Sequence, residues 1–453
     1  MDGSSISSGS NLTHILAERA CAITYDMLPE PVRELARQCV LDYLGVGLGG
    51  ADDPLIRILL DELSDAGGAS QAAVIGHDTR LPALSAALAN GAIAHALDYD
   101  DVNLAMPGHP SVAILPALLA LAEEKKASGK AVIAAFVAGY ETCCRIGMAL
   151  RPGHYSRGFH ATGTVGAFGA AAACAHLLGL DADATAGALG IAGTQSAGLK
   201  SQFGTMCKPF HAGKAAQNGL LAARLAARGF SSRTDLVECA QGFAATHAPE
   251  FHPDKALARP KRGYHIFNNL FKYHASCYMT HAPIECGRQL REQGIVPADI
   301  ATINLRLHHA TDRVCNIPAP TDRLEAKFSL RQTVAMALSG VDTASLGAYS
   351  AATATDPSLV ALRERVNFDF CEDYPEAGAE IEVVLADGRK ASATFDAGIP
   401  MADIAAQGRR LAEKFDALAA PVVGTARARE LREAVAGLDA LADTGVLARL
   451  AAK

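Results

Sequence analysis

The sequence predicts a mainly α protein, with a large all-helical domain and a smaller α+β domain carrying an antiparallel sheet. Three observations carry that prediction. Up to about residue 300 apolar residues recur at helical spacing, as in Val32, Leu35, Ala36, Cys39, Val40, Tyr43 and Leu44. Beyond 300 the period drops to two: Ile303, Leu305 and Leu307 alternate, as do Val366, Phe368 and Phe370. Ile381, Val383 and Leu385 then run up to Asp387-Gly388, and Ala391, Ala393 and Phe395 follow, the pattern of a hairpin around a D-G turn. After Pro400 helical spacing returns over 404–418 and 427–438. A chain of 453 residues exceeds what one hydrophobic core usually supports. The expected layout is a helical domain over 1–265, an α+β domain over 266–398, and C-terminal helices over 399–453 that rejoin the first domain.

In chain order, Pro31 stands where a helix begins, and Gly45, Gly47, Gly49 and Gly50 are expected to end it. Residues 54–63 and 82–97 read as helices, then 112–125 and 130–150, separated by Ser128-Gly129. In 155–173, Gly163, Gly166, Ala167 and Ala170 fall at i, i+3, i+4 and i+7, leaving one helix face almost without side chains. Residues 204–219 lead into another small-residue helix that runs to about Arg228. Lys208 precedes Pro209, which disfavours helix at Lys208 and predicts its ammonium on a loop. A helix over about 325–338 interrupts the later strands, and no strand is expected before 300.

Composition bounds the partners. Half of the residues are hydrophobic and a fifth charged, enough for a substantial core, and the net charge of -7 argues against nucleic acid or an anionic membrane. Any bound anion must meet a local positive pocket. Eleven cysteines, odd in number and without C-x-x-C pairs, fit a reduced cytoplasm and give no zinc or iron-sulfur pattern. The N-terminal MDGSSISSGSNLTH lacks the basic start and apolar stretch of a signal peptide and reads as a short disordered lead. Apolar runs such as 165–180 are Gly/Ala-rich and fall short of the roughly 20 residues a membrane span needs. They predict broad burial in a helical core or a subunit interface.

The chemistry concentrates in 95–116, HALDYDDVNLAMPGHPSVAILP, where Asp98, Asp100 and Asp101 lie between two apolar runs with His95 and His109. Buried charge is costly unless paired or used. A plain capping cluster is the alternative reading, since Asp caps helices and stabilises turns. His160 and Thr162 open the small-residue helix, and a helix N-terminus attracts anions. The alternative there is that Thr162 simply caps the helix. The Walker spacing of a phosphate loop is absent, which excludes nucleotide binding at this stretch. Lys272, His274, Cys277 and His281 lie within ten residues, but no second cluster completes four ligands, so no metal is expected there.

HALDYDD with GHPS, RGFHATGT, KPFHAGKAAQNG, KYHASCYMTHAPIE and EAKFSL together resemble the MmgE/PrpD family, in order and over nearly the whole chain. The resemblance implies a helical domain built from both chain ends, a smaller α+β lid, a homodimer and no cofactor. It implies reactions such as 2-methylcitrate dehydration, cis-aconitate decarboxylation or iminodisuccinate epimerisation. Asp98 and His109 match the acidic and histidine positions of the family's first motif, His160 the second motif, Lys208 the third and Lys272 the fourth. Val102 and Cys277 depart from the threonine and histidine of the decarboxylase, with His274 or His281 as substitutes for the latter. The expected function is dehydration of a small di- or tricarboxylate of the 2-methylcitrate kind, without cofactor or metal. Epimerisation, decarboxylation and a non-catalytic scaffold are the alternatives. Asp98, His109 and His160 would handle protons. Lys208, Lys272, Cys277 and His281 would bind substrate, with Lys272 delivered by the lid.

Overall fold

The computed structural model describes residues 11–453, and the chain divides into two compact units. One takes the chain up to Phe271 together with Ala402–Lys453, and the other is Lys272–Met401. Residues 1–10 of the expected lead lie outside the described residues, and Leu12 already opens a helix.

The first unit begins with α1 (Leu12–Cys21), α2 (Glu30–Gly50), α3 (Pro54–Asp65), α4 (Ala83–His95), α5 (Pro110–Lys125) and α6 (Gly129–Leu150). It continues with α7 (Ala161–Leu177), α8 (Ala182–Gly193) and α9 (Cys207–Ala226). Helix α7 is buried on every side from Ala161 to Ala175, as expected of a helix without a polar face. Small side chains let the central helices approach closely. Ala113 of α5, Ala167 of α7 and Ala215 of α9 meet in one buried cluster. A Cβ on Gly91 of α4 would stand 2.7 Å from the Gly213 Cα of α9. Helix α6 is long and apolar enough to cross a membrane, contrary to the reading that no run suffices, and it is mostly buried within the structure.

Three local expectations are corrected. Helix α2 ends at Gly50, but Gly45, Gly47 and Gly49 lie inside it instead of ending it, because neighbours exclude a side chain there. A Cβ on Gly45 would meet Phe415 at 3.1 Å, one on Gly49 would meet Leu418 at 2.9 Å, and one on Gly50 would collide with the Ile93 carbonyl. Lys208 is in the first turn of α9 rather than a loop. Proline is tolerated at Pro209 because a first-turn N–H has no intrahelical acceptor to lose. Before 300, a two-residue antiparallel ladder pairs Ala72–Ala73 with Arg80–Leu81.

The second unit contains α10 (His281–Glu292), β1 (Ile300–His308), α11 (Leu330–Leu338), α12 (Pro357–Arg363), β2 (Val366–Cys371), β3 (Gly378–Leu385) and β4 (Lys390–Asp396). Its sheet order is β2-β1-β3-β4. Two pairings are antiparallel, β1 with β3 and β3 with β4, the latter closed by the Asp387-Gly388 turn with Gly388 at φ +85°. The pairing of β1 with β2 is parallel, with Ile303 opposite Val366, because the chain between them crosses over through helices instead of a hairpin. Ile303, Leu305, Leu307, Ile381 and Val383 are buried at alternate positions, as the period-two pattern requires. The helix expected over 325–338 is interrupted: Arg323–Lys327 is a separate turn, and the Ser329 side chain accepts from the Gln332 N–H to start α11 afresh.

The chain then returns to the first unit as α13 (Ile404–Val423), α14 (Thr425–Ala436) and α15 (Gly445–Ala451). The ring of Phe415 on α13 lies against Gly45 of α2.

Candidate active site

In the first unit, four helix ends bring together side chains that are far apart in sequence. His95 is the last residue of α4, His109 precedes α5, His160 precedes α7, and Lys208 lies in the first turn of α9. Neither His109 nor His160 caps its helix with its side chain, so both imidazoles serve elsewhere. Thr162 does not cap α7 either: its hydroxyl oxygen accepts the His109 N–H at 3.1 Å and ties the starts of α5 and α7 together. Helix N-termini carry partial positive charge, so the starts of α5, α7 and α9 favour an anion.

The carboxylates are arranged between these groups. Asp98 has φ +51°, a left-handed conformation that Asp tolerates better than most side chains. Its Oδ1 is 2.8 Å from the Lys208 ammonium and 3.7 Å from His109 Nε2. On the other edge of the same imidazole, His109 Nδ1 is 2.9 Å from Asp100 Oδ2. Asp100 also accepts from His95 Nδ1 at 3.0 Å. Asp100 is fully buried, which alone would raise its pKa, but His109 and His95 outweigh burial and hold it well below the usual carboxylate range. Burial lowers His95 to about 4 against the pull of Asp100, so at neutral pH His95 is an uncharged donor to an anionic Asp100. The rings of His95 and His109 meet edge to face, with centroids 4.6 Å apart.

Asp101 turns away from this cluster and accepts the Ser111 hydroxyl at 2.5 Å. Burial, with Asp42 nearby, raises it to about 7. The loop also rests on buried amides. Asn103 donates to Tyr140 at 2.9 Å and to the His265 carbonyl at 3.1 Å, and Tyr140 donates to Asn269 at 2.7 Å. Among the described residues, His95, Asp98, Asp100 and His109 each offer one potential metal-ligand atom within 4.8 Å of the others. The Lys208 ammonium already neutralises Asp98, and one Nδ1 of each histidine faces Asp100. A cation there would compete with the Lys208 ammonium for Asp98.

Of the seven site residues read from sequence, the first unit gathers Asp98, His109, His160 and Lys208. His160 stacks near His95 with centroids 5.8 Å apart. Sequence reasoning singled out neither His95 nor His211 as a site residue. His211 is i+3 from Lys208 on α9, hence on the same face, a relation that reading Lys208 as a loop residue had hidden. Lys272, Cys277 and His281 belong to the second unit. Lys272 is buried, at 1% exposure, and His281 starts α10 with its ring 5.0 Å from that of His274. His274 uses both ring nitrogens, Nδ1 with Thr343 at 2.8 Å and Nε2 with Glu285 at 3.1 Å. The buried Cys277 donates its backbone N–H to the Lys327 carbonyl at 3.0 Å.

Comparison with known proteins agrees with the motif pattern. Residues 14–256 match the MmgE/PrpD N-terminal domain and residues 274–440 the MmgE/PrpD C-terminal domain. The chain is 28% identical over 474 residues to a cis-aconitate decarboxylase of Aspergillus terreus, covering 97% of this chain and 96% of that one. It is also 28% identical over 397 residues to the cis-aconitate decarboxylase of Homo sapiens, covering 83% and 81% respectively. With a family model matched over more than half its length and the second following in order, the chain belongs to the MmgE/PrpD family.

Proposed function

We propose that the protein is a lyase that dehydrates a small hydroxy-polycarboxylate of the 2-methylcitrate kind by acid/base proton transfer, with no cofactor. One observation carries this reading: the imidazoles of His109 and His160, each able to transfer a proton, lie beside the Asp98–Lys208 pair at converging helix N-termini. Removing a proton next to a carboxylate builds negative charge on that carboxylate, and a fixed ammonium with helix N-termini stabilises it. Dehydration also needs an acid for the departing hydroxyl, so two separate proton-handling groups fit it. His109, held between Asp98 and Asp100, is the base, and the two carboxylates orient its ring. Lys208 exchanges Asp98 for a substrate carboxylate when the substrate enters.

Decarboxylation of a cis-aconitate-like acid is the second reading, favoured by the relatives of that name that align over nearly the whole chain. It needs a single protonation at carbon. The test is incubation of the purified, chelator-treated protein with 2-methylcitrate, citrate and cis-aconitate in deuterated water. The expected outcome is an unsaturated product from a hydroxy acid. Carbon dioxide from cis-aconitate would establish the second reading, solvent deuterium in unchanged substrate would point to epimerisation, and chelator-sensitive activity would overturn the metal-free mechanism.

A further inference from the structure

We propose that His211 is the proton-relay partner of His160, the two imidazoles sharing one proton and passing it between the site and solvent. The proposal rests on the acid/base reading above and assigns a role to a residue outside the proton-handling set described so far.

The geometry is specific. His160 Nδ1 and His211 Nδ1 are 3.1 Å apart. At that separation two bare nitrogens repel through their lone pairs and two N–H groups clash, so the pair holds a single proton between them. The contact has room because glycines face the ring. A Cβ on Gly198, at φ +147°, would stand 3.3 Å from the imidazole of His211, and one on Gly163 would stand 3.0 Å from its Cβ. The Gly198 carbonyl accepts the His160 N–H at 3.0 Å, which fixes the backbone that carries the dyad. His160 is buried at 2% exposure, while His211 is only partly buried, so the pair runs from the interior towards water.

Proton bookkeeping follows from the shared Nδ1 position. With the proton on His160 Nδ1, its Nε2 is bare and accepts a proton. As that N–H bond forms, the Nδ1–H bond breaks, a new N–H bond forms on His211 Nδ1, and His211 Nε2 releases its proton to water. The reverse sequence delivers a proton, so the same imidazole serves as base or acid within one turnover. The surroundings prevent charge from resting on His160. Burial, and then His95 from the end of α4, Lys208 on α9 and His109 before α5, hold it well below the usual imidazole range. Burial and Lys208 lower His211 in the same direction. A proton taken up by His160 must therefore move on.

Two variants and two readouts test this. His211→Asn keeps an acceptor for the His160 N–H but cannot relay, whereas His211→Ala removes both. Nitrogen-15 NMR of histidine-labelled protein is expected to show one protonated and one bare Nδ1 in the wild type. Asn at 211 is expected to keep His160 Nδ1 protonated, and Ala to lose that preference. In turnover, both variants are expected to lose about 10- to 100-fold in kcat with little change in KM, and added imidazole is expected to restore part of the loss. Two protonated Nδ1 atoms in the wild type, or full kcat in His211→Asn, would overturn the relay. If the wild type turns over none of the acids tested, the functional reading fails while the NMR result still decides whether the proton is shared.

Discussion

Asp98 shows how much one residue can carry: its left-handed backbone, its ion pair with Lys208 and its approach to His109 are all set by a single position. Asn keeps the shape and tolerates the same φ, so Asp98→Asn is expected to melt within a few degrees of the wild type while losing about 10²- to 10⁴-fold in kcat, the usual contribution of a group assisting proton transfer. Equal losses of activity and folded protein would remove Asp98 from the chemistry. His154 makes a different residue-scale prediction. Burial lowers it from 6.5 to about 4, with Nδ1 at 3.0 Å from the His247 carbonyl and Nε2 at 2.8 Å from the Thr164 hydroxyl. Because the unfolded chain binds this proton first, its stability contribution is complete above pH 6.5 and is lost as pH falls towards 4. Glu141, raised to about 7 by burial, acts in the opposite sense, its contribution being lost as pH rises from 4.5 to 7. The wild-type slope is therefore a difference, and His154 is read by comparison. In urea titrations at pH 7 and pH 4.5, His154→Gln is expected to show a smaller drop in midpoint than the wild type, and an equal drop would contradict the burial argument.

At the scale of elements, the helix crossings place the site. Gly213 lies two residues beyond His211 on α9, and a Cβ there would collide with the Leu88 carbonyl of α4, whose last residue is His95. Gly213→Ala is expected to cost about 1–3 kcal/mol through overpacking and to lower activity by shifting Lys208 relative to Asp98. Gly187 on α8 provides the control. Nothing lies within 4 Å of a Cβ there, and Gly187→Ala is expected to raise stability by about 0.5–1 kcal/mol with activity unchanged. Thermal melts of the two variants that moved in the same direction would sink this account. The small-residue face of 163–170 was visible in sequence because a period of 3.6 is local. The role of Gly45 to Gly50 was not visible, because glycine as a helix stop and glycine as a contact point differ only in what packs against it.

The folded first unit depends on its C-terminal segment. Lys414 on α13 pairs with Asp42 of α2 at 2.6 Å and donates to the Tyr99 carbonyl at 2.7 Å, between Asp98 and Asp100. Both side chains are buried, and removing one partner of such a pair strands the other charge. Lys414→Met is expected to destabilise the protein by about 3–5 kcal/mol and to reduce activity by releasing Tyr99. The double variant Asp42→Asn with Lys414→Met is expected to recover much of the stability but not the activity. Additive losses in denaturant titrations would show that the pair is not coupled.

The sequence by itself determined the mainly helical class, the change to period two near 300 and the return to helix after 400, because these are repeats along the chain. It also placed Asp98, His109, His160 and Lys208 in recognisable motifs, since each motif is a short run with its own local chemistry. Only the tertiary structure decided which groups meet. It bound Asp100 to both His95 and His109, set His160 against His211, and brought Lys414 beneath Tyr99. It also made one strand pairing parallel through a helical crossover. Periodicity describes what a segment presents on each face, whereas contact between residues more than 300 positions apart depends on how helices close over one another. That closure is set by the combined packing of many small side chains, which no single stretch of sequence contains.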